Sequence, residues 1–475
     1  MTPPGPNVPV RRIHLIGVCG TGMGSLAGLL ADAGAEVRGS DEAVYPPMST
    51  MLRDKGIRVL EGYKAEHLDD RPDLVVVGNI ATKANPEAVA ATERGIPYLS
   101  MPQAIGRLFL EGRHSIVVTG THGKTTTAGL MAWLLTSAGR DPSFLVGGVL
   151  KNFGRSYGLG KGEDFVIEGD EYETAYFDKG PKFLHYRPQS GILTSVEYDH
   201  AEMYPDLPSV KDAFRRFVAL VPPTGLLVYC ADDPNVREVV QGAKARLLPY
   251  GCGRGEGFRG HVREAGADGM EFEVSRDGVL FGVFRSPLTG LHNLRNMLAV
   301  IAVAHGRGVG AAAIGEGLRT FAGMKRRQDV RGVAAGVTVV DDFAHHPTAV
   351  RATLAATRDR YPGRRIWGVF EPRTNTTRRS VFQEEYARSF DDAERIVIAA
   401  VDHPERAPEG GRFSVERLVE DLRSRGKEAQ YVPAVDDIVA LLARDARRDD
   451  VVLVMSNGAF GGLHDKLLAA LAARA

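Results

Sequence analysis

The stretch Ser115-Ile-Val-Val-Thr-Gly-Thr-His-Gly-Lys-Thr-Thr-Thr127 decides how this chain is interpreted. A β-branched, apolar strand enters a glycine-bounded loop and continues as a predicted helix. Backbone N–H groups at such a helix start bind phosphate, the lysine adds positive charge, and the next hydroxyl can ligate Mg²⁺. Val118 stands where the common phosphate loop has its first glycine, so this loop is shorter; a chance Gly-Lys-Thr turn is the alternative. The predicted nucleotide ligands are Gly120, Thr121, His122, Gly123, Lys124, Thr125 and Thr126.

Composition narrows the class of protein. The 475 residues suggest about three domains, and 44% hydrophobic with 25% charged residues is typical of a globular protein. Lys+Arg and Asp+Glu balance at 59 each, so we expect neither a nucleic-acid partner nor binding to a membrane surface. Cys19, Cys230 and Cys252 lie too far apart in sequence for metal-ligand spacing, which favours a reduced, cytoplasmic setting. We predict no signal peptide and no membrane span.

A second glycine-rich turn follows a short strand near the start of the chain. Residues 12–17 form the strand, residues 18–24 read Val-Cys-Gly-Thr-Gly-Met-Gly, and a helix follows. This βα unit predicts another anion site, although its spacing differs from the dinucleotide fingerprint. Asp41 ends the next predicted strand, where ribose or base edges are bound in such folds. A nicotinamide dinucleotide is therefore one interpretation of residues 1–113 taken alone.

Carboxylates and a histidine follow two strands of the central region. One apolar strand leads into Glu168, Asp170 and Glu171, and carboxylates beside a triphosphate are what Mg²⁺ requires. An acidic solvated turn is the alternative. Another strand leads into Asp199 and His200, for which we favour a site role over a structural one, because ligands gather at the carboxyl ends of parallel strands.

Amide and arginine pairs come next. Asn293 and Asn296 share one face of a predicted helix, and an amide matches the donor and acceptor of an adenine edge. Capping of that helix by Asn293 is the alternative. Arg326 and Arg327 can neutralise a terminal phosphate, or can lie in an exposed linker. Residues 250–287 alternate between apolar and polar, which predicts an antiparallel β appendage.

The last region alternates strands with helices, which predicts a parallel sheet. One strand runs into a dense polar cluster that predicts a site. Two more strands end in residues 371–376 and 456–462, which are positioned to bind a ligand. Taken together, the residues predict an α/β protein with an ATP site spread over two domains, and hence phosphoryl transfer or ligation through an acyl phosphate. The polar cluster consists of Asp341, Asp342, His345 and His346.

Six motifs, in this order, resemble those of the Mur ligases, the ATP-dependent amide-forming enzymes of bacterial peptidoglycan. The resemblance extends from about Arg12 to the last helix. It implies three domains: a Rossmann-like domain that binds a UDP-sugar (1–113), a P-loop ATPase-type domain with a small β appendage (114–327) and a Rossmann-like ligase domain (328–475). This displaces the nicotinamide interpretation. The motifs are Gly120-Thr-His-Gly-Lys-Thr-Thr126, Glu168-Gly-Asp-Glu171, Asp199-His200, His292-Asn293-x-x-Asn296, Phe321-x-Gly-x-x-Arg-Arg327 and Asp341-Asp-Phe-Ala-His345-His-Pro347.

The resemblance also implies residue roles. Lys124, Glu168, His200 and His345 are the implied catalytic residues. Thr125 and Glu168 would hold one Mg²⁺, and Glu168 and His200 would hold a second cation. Asn293 and Asn296 would bind adenine, while Arg327, Asp342 and His345 would complete the ATP site. The implied UDP-sugar residues are Gly20, Thr21, Gly22, Met23, Gly24, Ser40, Asp41 and Asn79. The implied peptide residues are Glu371, Arg373, Asn375, Ser456 and Asn457.

Two branches of the family accept UDP-N-acetylmuramate. One adds L-alanine; the other joins the murein tripeptide L-Ala-γ-D-Glu-meso-diaminopimelate during peptidoglycan recycling. The chain resembles the second branch more closely, and the L-alanine ligase is the alternative. The segments that carry this preference are Val18–Thr21, Val44–Thr50, Gly78-Asn79, Asn85-Pro86, Glu371–Thr376 and Ser456–Gly462.

The chain departs from the family at one position. Several Mur ligases have a carbamylated lysine about fifteen residues beyond the Asp-His motif, but here position 215 is Arg, and Lys211 has the wrong offset. We therefore predict no carbamate.

Three rival interpretations remain: a non-catalytic sensor of UDP-N-acetylmuramate, a nicotinamide oxidoreductase and the folate-glutamating relatives of the family. We expect a monomer or weak homodimer.

Overall fold

A computed structural model describes residues 10–44, 48–408 and 410–474. Tyr45, Pro46 and Pro47, which belong to the branch-specific segment 44–50, lie outside the described residues. The chain divides into two compact units, and each is described by itself below. Unit 1 comprises residues 1–196, 208–250 and 299–317; unit 2 comprises residues 197–207, 251–298 and 318–475.

Unit 1 begins with a five-stranded parallel sheet in the order β3-β2-β1-β4-β5. The sequence order reverses between β1 and β4, and ligands bind at such a switch point in open α/β sheets. The glycine-rich turn follows β1 and therefore lies at this point. The strands are β1 (Arg12–Ile16), β2 (Glu36–Asp41), β3 (Arg58–Glu61), β4 (Leu74–Val77) and β5 (Tyr98–Ser100); the helices are α1 (Thr21–Asp32), α2 (Met48–Asp54), α3 (Pro86–Glu93) and α4 (Met101–Leu108).

A second sheet of unit 1 has the order β14-β13-β12-β6-β9-β7-β8, and all its neighbouring strands are parallel except β7 and β8. β10 and β11 form a separate antiparallel hairpin. The strands are β6 (His114–Thr119), β7 (Ser143–Leu150), β8 (Arg155–Gly158), β9 (Asp164–Gly169), β10 (Glu173–Ala175), β11 (Asp178–Pro181), β12 (Ser190–Leu193), β13 (Leu226–Cys230) and β14 (Arg246–Gly251); the helices are α5 (Lys124–Ser137), α6 (Leu207–Leu220) and α7 (Pro234–Val239).

Helix α1 packs closely against β8 of the second sheet. A Cβ atom at Gly28 would lie 2.2 Å from the Tyr157 hydroxyl, so only glycine admits this ring. The hydroxyls of Ser25 and Ser156 lie 2.7 Å apart and form a buried hydrogen bond. The helix that follows the glycine-rich turn is therefore fixed to the sheet that carries the phosphate loop.

Unit 2 contains the predicted antiparallel appendage, in which β16 pairs with β15 and with β17. It also contains a six-stranded sheet in the order β18-β19-β23-β20-β21-β22, parallel except for β18. Apolar clusters cover both faces of this sheet. The strands are β15 (Phe258–Gly266), β16 (Gly269–Arg276), β17 (Val279–Ser286), β18 (Asp329–Ala334), β19 (Val337–Asp342), β20 (Ile366–Phe370), β21 (Arg395–Ile398), β22 (Glu428–Tyr431) and β23 (Val451–Met455).

The remaining helices complete the α/β architecture, so the predicted fold class is confirmed. The domain boundaries after residues 113 and 327 stay predictions. Over the described residues, none of the helices combines the length and apolar character needed to cross a membrane. The remaining helices are α8 (Leu291–Gly306), α9 (Ala311–Arg319), α10 (Pro347–Arg360), α11 (Gln383–Ala387), α12 (Val415–Ser424), α13 (Val435–Asp445) and α14 (Leu463–Ala472).

Candidate active site

The phosphate loop connects β6 to α5 and is held by the residues after β12. Gly120 has a φ of 130°, and a Cβ atom there would lie 2.1 Å from the Thr194 hydroxyl, so the position requires glycine. The backbone N–H of Thr121 donates to the Ser195 carbonyl over 3.0 Å, and that of His122 donates to the Ser195 hydroxyl over 2.9 Å. These two N–H groups shape the loop and leave the start of α5 to face an anion.

Lys124 is the first residue of α5, and its side chain turns back over the loop. Its ammonium group lies 2.6 Å from the Gly120 carbonyl and 2.8 Å from Glu171 Oε2. Burial alone would lower the pKa of this ammonium group, but the carboxylates of Glu171, Asp170 and Glu168 outweigh it and raise the pKa. Lys124 therefore carries a fixed positive charge beside the loop.

Thr125 and Glu168 form a set of oxygen donors next to Lys124. The Thr125 hydroxyl donates to Glu168 Oε2 over 3.0 Å, and the Gly147 N–H donates to Glu168 Oε1. Burial and the neighbouring Asp170 raise the pKa of Glu168 to about 7, against the opposing effects of Gly147, Lys124 and Thr125. A buried carboxylate that is incompletely neutralised, beside a hydroxyl, fits a hard cation such as Mg²⁺.

The three carboxylates after β9 take separate partners. Glu168 faces Thr125, and Glu171 faces Lys124. Asp170 pairs with Lys182 over 3.0 Å, and although burial opposes it, Lys182 and Lys124 lower the pKa of Asp170. The sequence grouped these residues as one metal-binding set, but only Glu168 is placed beside the threonine hydroxyl.

The glycine-rich turn after β1 is held by the end of β2. The Gly17 and Val18 N–H groups donate to the Ser40 carbonyl over 2.9 and 3.1 Å. The Cys19 N–H donates to Asp41 Oδ2 over 2.8 Å. Gly20 then precedes α1 as its N-cap, without a side-chain cap. This geometry leaves the start of α1 available to an anion.

The predicted UDP-sugar residues differ in how accessible their side chains are. Thr21 and Asn79 are exposed, but Met23 is buried and packs near Gly78. The Ser40 hydroxyl is fully buried and donates to Glu87 Oε2 over 2.5 Å. Ser40 and Met23 are therefore placed to support the turn through packing rather than to meet a ligand with their side chains.

Sequence reasoning missed a buried polar network beneath this turn. Glu87, fully buried, accepts from Ser40, lies 2.9 Å from His14 Nε2 and lies 2.6 Å from His67 Nδ1. Burial opposes ionisation of Glu87, but the hydrogen bonds from these partners lower its pKa. The available signal was Asn85, which caps α3 and places Glu87 in the first turn of that helix.

In unit 2, Asp199 and His200 lie in a loop with an unusual backbone. His200 has a φ of 54°, and its N–H donates to Asp199 Oδ1 over 2.8 Å. The Thr376 hydroxyl donates to the same oxygen over 2.9 Å. Burial would raise the pKa of Asp199, but His200, His345 and His346 hold it well below its ordinary value.

The two predicted adenine-binding amides form a buried chain. Asn293 Nδ2 donates to the Thr289 carbonyl over 2.9 Å and to Gln328 Oε1 over 3.3 Å. Asn296 Nδ2 donates to Asn293 Oδ1 over 3.3 Å. Among the described residues, no partner meets Gln328 Nε2, which is buried beside this chain. A ligand acceptor would satisfy that donor.

The polar cluster after β19 separates in three dimensions. Asp341 lies 3.3 Å from both Arg331 and His464. Asp342 instead accepts from the backbone N–H groups of residues 328 and 344, and burial raises its pKa. His345 Nδ1 lies 3.0 Å from the Phe343 carbonyl. The members of the predicted cluster therefore have different partners.

The two arginines of the predicted pair lie over one aromatic ring, and one of them also binds a neighbouring loop. Arg326 donates to the carbonyls of Ser456 and Gly458 over 2.7 and 2.6 Å, which joins it to the loop after β23. Both guanidinium groups lie over the Phe343 ring, that of Arg327 at 4.4 Å and that of Arg326 at 5.2 Å from its centroid. Both arginines are therefore placed for a cation–π contact with Phe343, and Arg326 also binds the loop after β23.

The ends of β20 and β23 bring the predicted peptide residues together. The Ser456 hydroxyl donates to Glu371 Oε2 over 2.5 Å, and burial raises the pKa of Glu371. Arg373 lies 3.9 Å from Glu371 Oε1 and 3.8 Å from Asp402 Oδ2. Within the described part of the chain, Asn457 Oδ1 is buried without a hydrogen-bond partner. The arrangement combines both signs of charge with an acceptor that lacks a donor.

One member of this set was missed and another is differently placed. Asp402 follows β21, and no local motif marked it in the sequence. Asn375 is exposed, and its Oδ1 accepts from Arg378 over 3.0 Å. Arg378 in turn lies 3.0 Å from Asp402, so these three residues form one polar rim beside Arg373.

Three family models match successive parts of the chain. The model of the Mur ligase family catalytic domain matches residues 12–113. The Mur ligase middle domain matches residues 118–304, and the Mur ligase glutamate ligase domain matches residues 326–458. The chain belongs to the Mur ligase family. It is an ATP-dependent ligase, as expected from the sequence motifs.

Curated relatives of this Mur ligase cover nearly the whole chain. The Escherichia coli (strain K12) UDP-N-acetylmuramate–L-alanyl-γ-D-glutamyl-meso-2,6-diaminoheptandioate ligase is 41% identical over 471 residues, which is 98% of this chain and 99% of the relative. A UDP-N-acetylmuramate–L-alanine ligase of Alkaliphilus metalliredigens (strain QYMF) is 33% identical, over 94% of this chain and 95% of that relative. Identity is thus higher to the tripeptide-adding relative.

A solved structure of a murein peptide ligase is also similar to this chain. The murein peptide ligase of Psychrobacter arcticus 273-4 has a TM-score of 0.71 and 34% identity to this Mur ligase. The match covers 97% of this chain and 98% of that one. The α/β architecture therefore agrees with that of a family member along nearly the full length.

The position that departs from the family motif lies in an ion-pair group on the protein's surface. Arg215 and Lys211 on α6 both lie 2.6 Å from Glu238, which belongs to α7. Arg215 also pairs with Asp212, one turn earlier in the same helix. In this Mur ligase the arginine pairs α6 with α7, and the absence of a carbamate stays a prediction.

Proposed function

We propose that the chain joins L-Ala-γ-D-Glu-meso-diaminopimelate to UDP-N-acetylmuramate, with cleavage of ATP to ADP and phosphate. The activity printed for the E. coli relative supports this proposal, because the identity of 41% extends over nearly the full length of both chains. A cytoplasmic location would supply both nucleotides, and we keep the monomer or weak homodimer as the expected state.

The chemistry follows from an ATP site beside a second anion site. A lactyl carboxylate oxygen attacks the γ-phosphorus of ATP, which releases ADP and forms an acyl phosphate. The free amine of the tripeptide then attacks the acyl carbon, and the tetrahedral intermediate expels phosphate as the amide forms. The fixed charge of Lys124 would stabilise the migrating phosphoryl group, because preorganised charge costs no reorganisation during reaction.

The resemblance implies one Mg²⁺ held by Thr125 and Glu168, and a second cation held by Glu168 and His200. The hydroxyl and carboxylate oxygens of Thr125 and Glu168 fit the first Mg²⁺ by their chemistry and by their 3.0 Å separation. When bound, the ion would neutralise the negative charge that develops on the phosphate oxygens as ADP leaves. Glu168 and Thr125 would keep their oxygens in place through the Gly147 N–H and the start of α5.

The UDP-sugar would bind at the switch point of the first sheet. The start of α1, at residues 20–24, would face the diphosphate, since its N-terminal N–H groups have no side-chain cap. Asp41 and Ser40 would act by holding the turn, through the contacts to Cys19 and Glu87. The exposed Asn79 remains a direct contact in this proposal.

The peptide's distal end would meet the charges of the rim after β20. A diaminopimelate residue ends in an ammonium and carboxylate pair. Arg373 offers donors for the carboxylate, and Glu371, Asp402 and the unpartnered Asn457 Oδ1 offer acceptors for the ammonium. L-Alanine lacks this second charged pair, so the rim favours the tripeptide over the alternative substrate.

The observation that carries the proposal is the joint placement of Lys124, Thr125 and Glu168 on the strand–loop–helix of the phosphate site. Isotope labelling of the carboxylate oxygens tests whether an acyl phosphate forms. UDP-N-acetylmuramate labelled with ¹⁸O in its carboxylate should transfer one label to the released phosphate, as read by mass spectrometry. Phosphate without label would exclude the acyl phosphate and overturn the proposed chemistry.

A further inference from the structure

We propose that Thr376 is a positioning residue that sets the place of His200 by holding the carboxylate of Asp199. The inference rests on the proposed function, because His200 matters to the reaction as a cation ligand. It adds a residue that no motif of the phosphate site contains. The starting observation is that Thr376 and Asp199, 177 positions apart, share a buried hydrogen bond.

The hydrogen bond is directed at a single oxygen. Asp199 Oδ1 accepts from the Thr376 hydroxyl over 2.9 Å and from the His200 N–H over 2.8 Å. Asp199 and Thr376 are 8% and 4% exposed, so water cannot easily replace either partner. Loss of the threonine hydroxyl would leave the carboxylate oxygen with one donor fewer in a buried setting, and the carboxylate would be free to rotate.

The backbone at His200 needs such support. Its φ of 54° lies in the left-handed region that residues other than glycine rarely adopt. The conformation aims the His200 carbonyl at two N–H groups, those of Met203 and Tyr204, at 2.8 and 3.0 Å. A strained backbone persists when its surroundings fix it, and the hydrogen bond to Asp199 is one of the restraints that do so.

Further contacts of the same kind hold the rest of this loop. Arg379 donates to the Ala201 carbonyl over 3.1 Å, and the Thr348 hydroxyl donates to Glu197 Oε2 over 2.7 Å. His346 Nε2 lies 3.2 Å from the Tyr198 carbonyl. Residues 197–201 are therefore held in place by side chains of residues 346–379, and Thr376 binds the same Asp199 oxygen that accepts from the His200 N–H.

The position of Thr376 links two parts of the proposed reaction. It lies three residues after Arg373, in the segment that we assign to the peptide. A shift of this segment would be passed to Asp199 and so to His200. The proposal thus predicts an effect of Thr376 on cation binding and on kcat, with little effect on the KM for the tripeptide.

The variants are chosen to remove only the hydrogen bond. Thr376→Val keeps the shape and deletes the donor, while Thr376→Ser keeps the donor. Thr357→Val makes the same chemical change at another buried threonine, whose hydroxyl donates to the Thr353 carbonyl within α10. Circular dichroism melting of the full chain would show whether each variant folds.

Hydrogen exchange of the protein without nucleotide provides the first readout. In Thr376→Val the N–H groups of residues 200, 203 and 204 should exchange at least tenfold faster, with no change in Thr376→Ser or Thr357→Val. Unchanged exchange in Thr376→Val overturns the inference. If Thr376→Val does not fold, the result for Thr376→Ser decides: exchange faster than wild type in that variant overturns the inference, and wild-type exchange supports it.

Mn²⁺ binding, followed by electron paramagnetic resonance with a non-hydrolysable ATP analogue, provides the second readout. Thr376→Val should weaken Mn²⁺ binding about tenfold, and His200→Ala should weaken it more. If His200→Ala leaves Mn²⁺ binding unchanged, the cation role of the proposed function fails, and the exchange data still decide whether Thr376 positions the loop. If His200→Ala weakens Mn²⁺ binding but Thr376→Val does not, the inference about Thr376 is overturned while the cation role of His200 stands.

Discussion

The ammonium group of Lys124 lies 2.8 Å from Glu171 Oε2 at the edge of the phosphate loop. Both side chains are nearly buried, at 13% and 3% exposed. The lysine that should meet a triphosphate is therefore neutralised by the protein's own carboxylate. In the proposed ATP site, triphosphate binding would replace this ion pair, and the free energy of that exchange would be part of the affinity for ATP.

Glu171→Gln should tighten binding of a non-hydrolysable ATP analogue several-fold. The substitution removes both the competitor for Lys124 and a negative charge beside the triphosphate. Isothermal titration calorimetry measures the dissociation constant. Glu163→Gln is the matched control, because that side chain is 83% exposed at the other end of the same strand region. Weaker binding in Glu171→Gln would show that Glu171 assists the nucleotide instead.

Lys124→Ala should reduce phosphate release at least a hundredfold, in line with the loss of a preorganised charge from a catalytic site. The carboxylates of Glu171 and Asp170 also lose a counter-charge, so we expect a lower melting temperature. Retained binding of UDP-N-acetylmuramate would show that the variant is folded. Lys161→Ala, at an exposed position, should behave as wild type. Phosphate release in Lys124→Ala at the wild-type rate would remove the lysine from the mechanism.

Arg373→Ala should raise the KM for the tripeptide at least tenfold and leave the KM for ATP within twofold. The residue lies between Glu371 and Asp402, so its loss removes the donors and leaves two carboxylates facing the peptide. Arg373→Lys should recover only part of the effect, because an ammonium group lacks the planar fork. Steady-state kinetics with Arg388→Ala as the exposed control provides the comparison; equal changes in both KM values would contradict the assignment.

His292 should make stability depend on pH. Burial, and to a lesser extent Arg295, lowers the pKa of His292 from 6.5 to about 4. As the pH falls, His292 of the unfolded chain takes up a proton before His292 of the folded protein does. The contribution of His292 to the free energy of unfolding is therefore fully present above pH 6.5 and is lost as the pH falls toward 4. The loss can reach about 3 kcal/mol.

Thermal melting between pH 4 and 7.5 would test this dependence. His292→Gln should flatten the pH profile relative to wild type, whereas His403→Gln, at a histidine that is 54% exposed, should leave it unchanged. A wild-type profile in His292→Gln would show that other groups account for the dependence on pH.

The sequence predicted the fold well where local pattern and position determine it. β-branched runs located the strands at residues 114–119 and 164–169, and alternation located the antiparallel appendage. Glycine at positions 120 and 123 marked the loop because the backbone there has a positive φ. These features depend on residues that are close in sequence, and the periodicity of apolar residues over such short stretches predicts them.

The partners of the site residues could not be predicted in the same way. Glu168, Asp170 and Glu171 look alike in sequence, yet each faces a different group. Glu168 lies within β9, whereas Asp170 and Glu171 follow its end at Gly169, where strand alternation no longer sets the direction of a side chain. Asp402 and Thr376 meet the site through contacts that depend on how distant strands end beside one another. No local motif encodes that arrangement.

The most direct test of the account is phosphate release by the purified protein with Mg-ATP and UDP-N-acetylmuramate, in parallel reactions with the tripeptide and with free L-alanine. The account predicts release with the tripeptide and at least a hundredfold lower release with L-alanine. Release with L-alanine and not with the tripeptide would contradict the proposed substrate, and would make the chain a ligase of the alanine-adding branch.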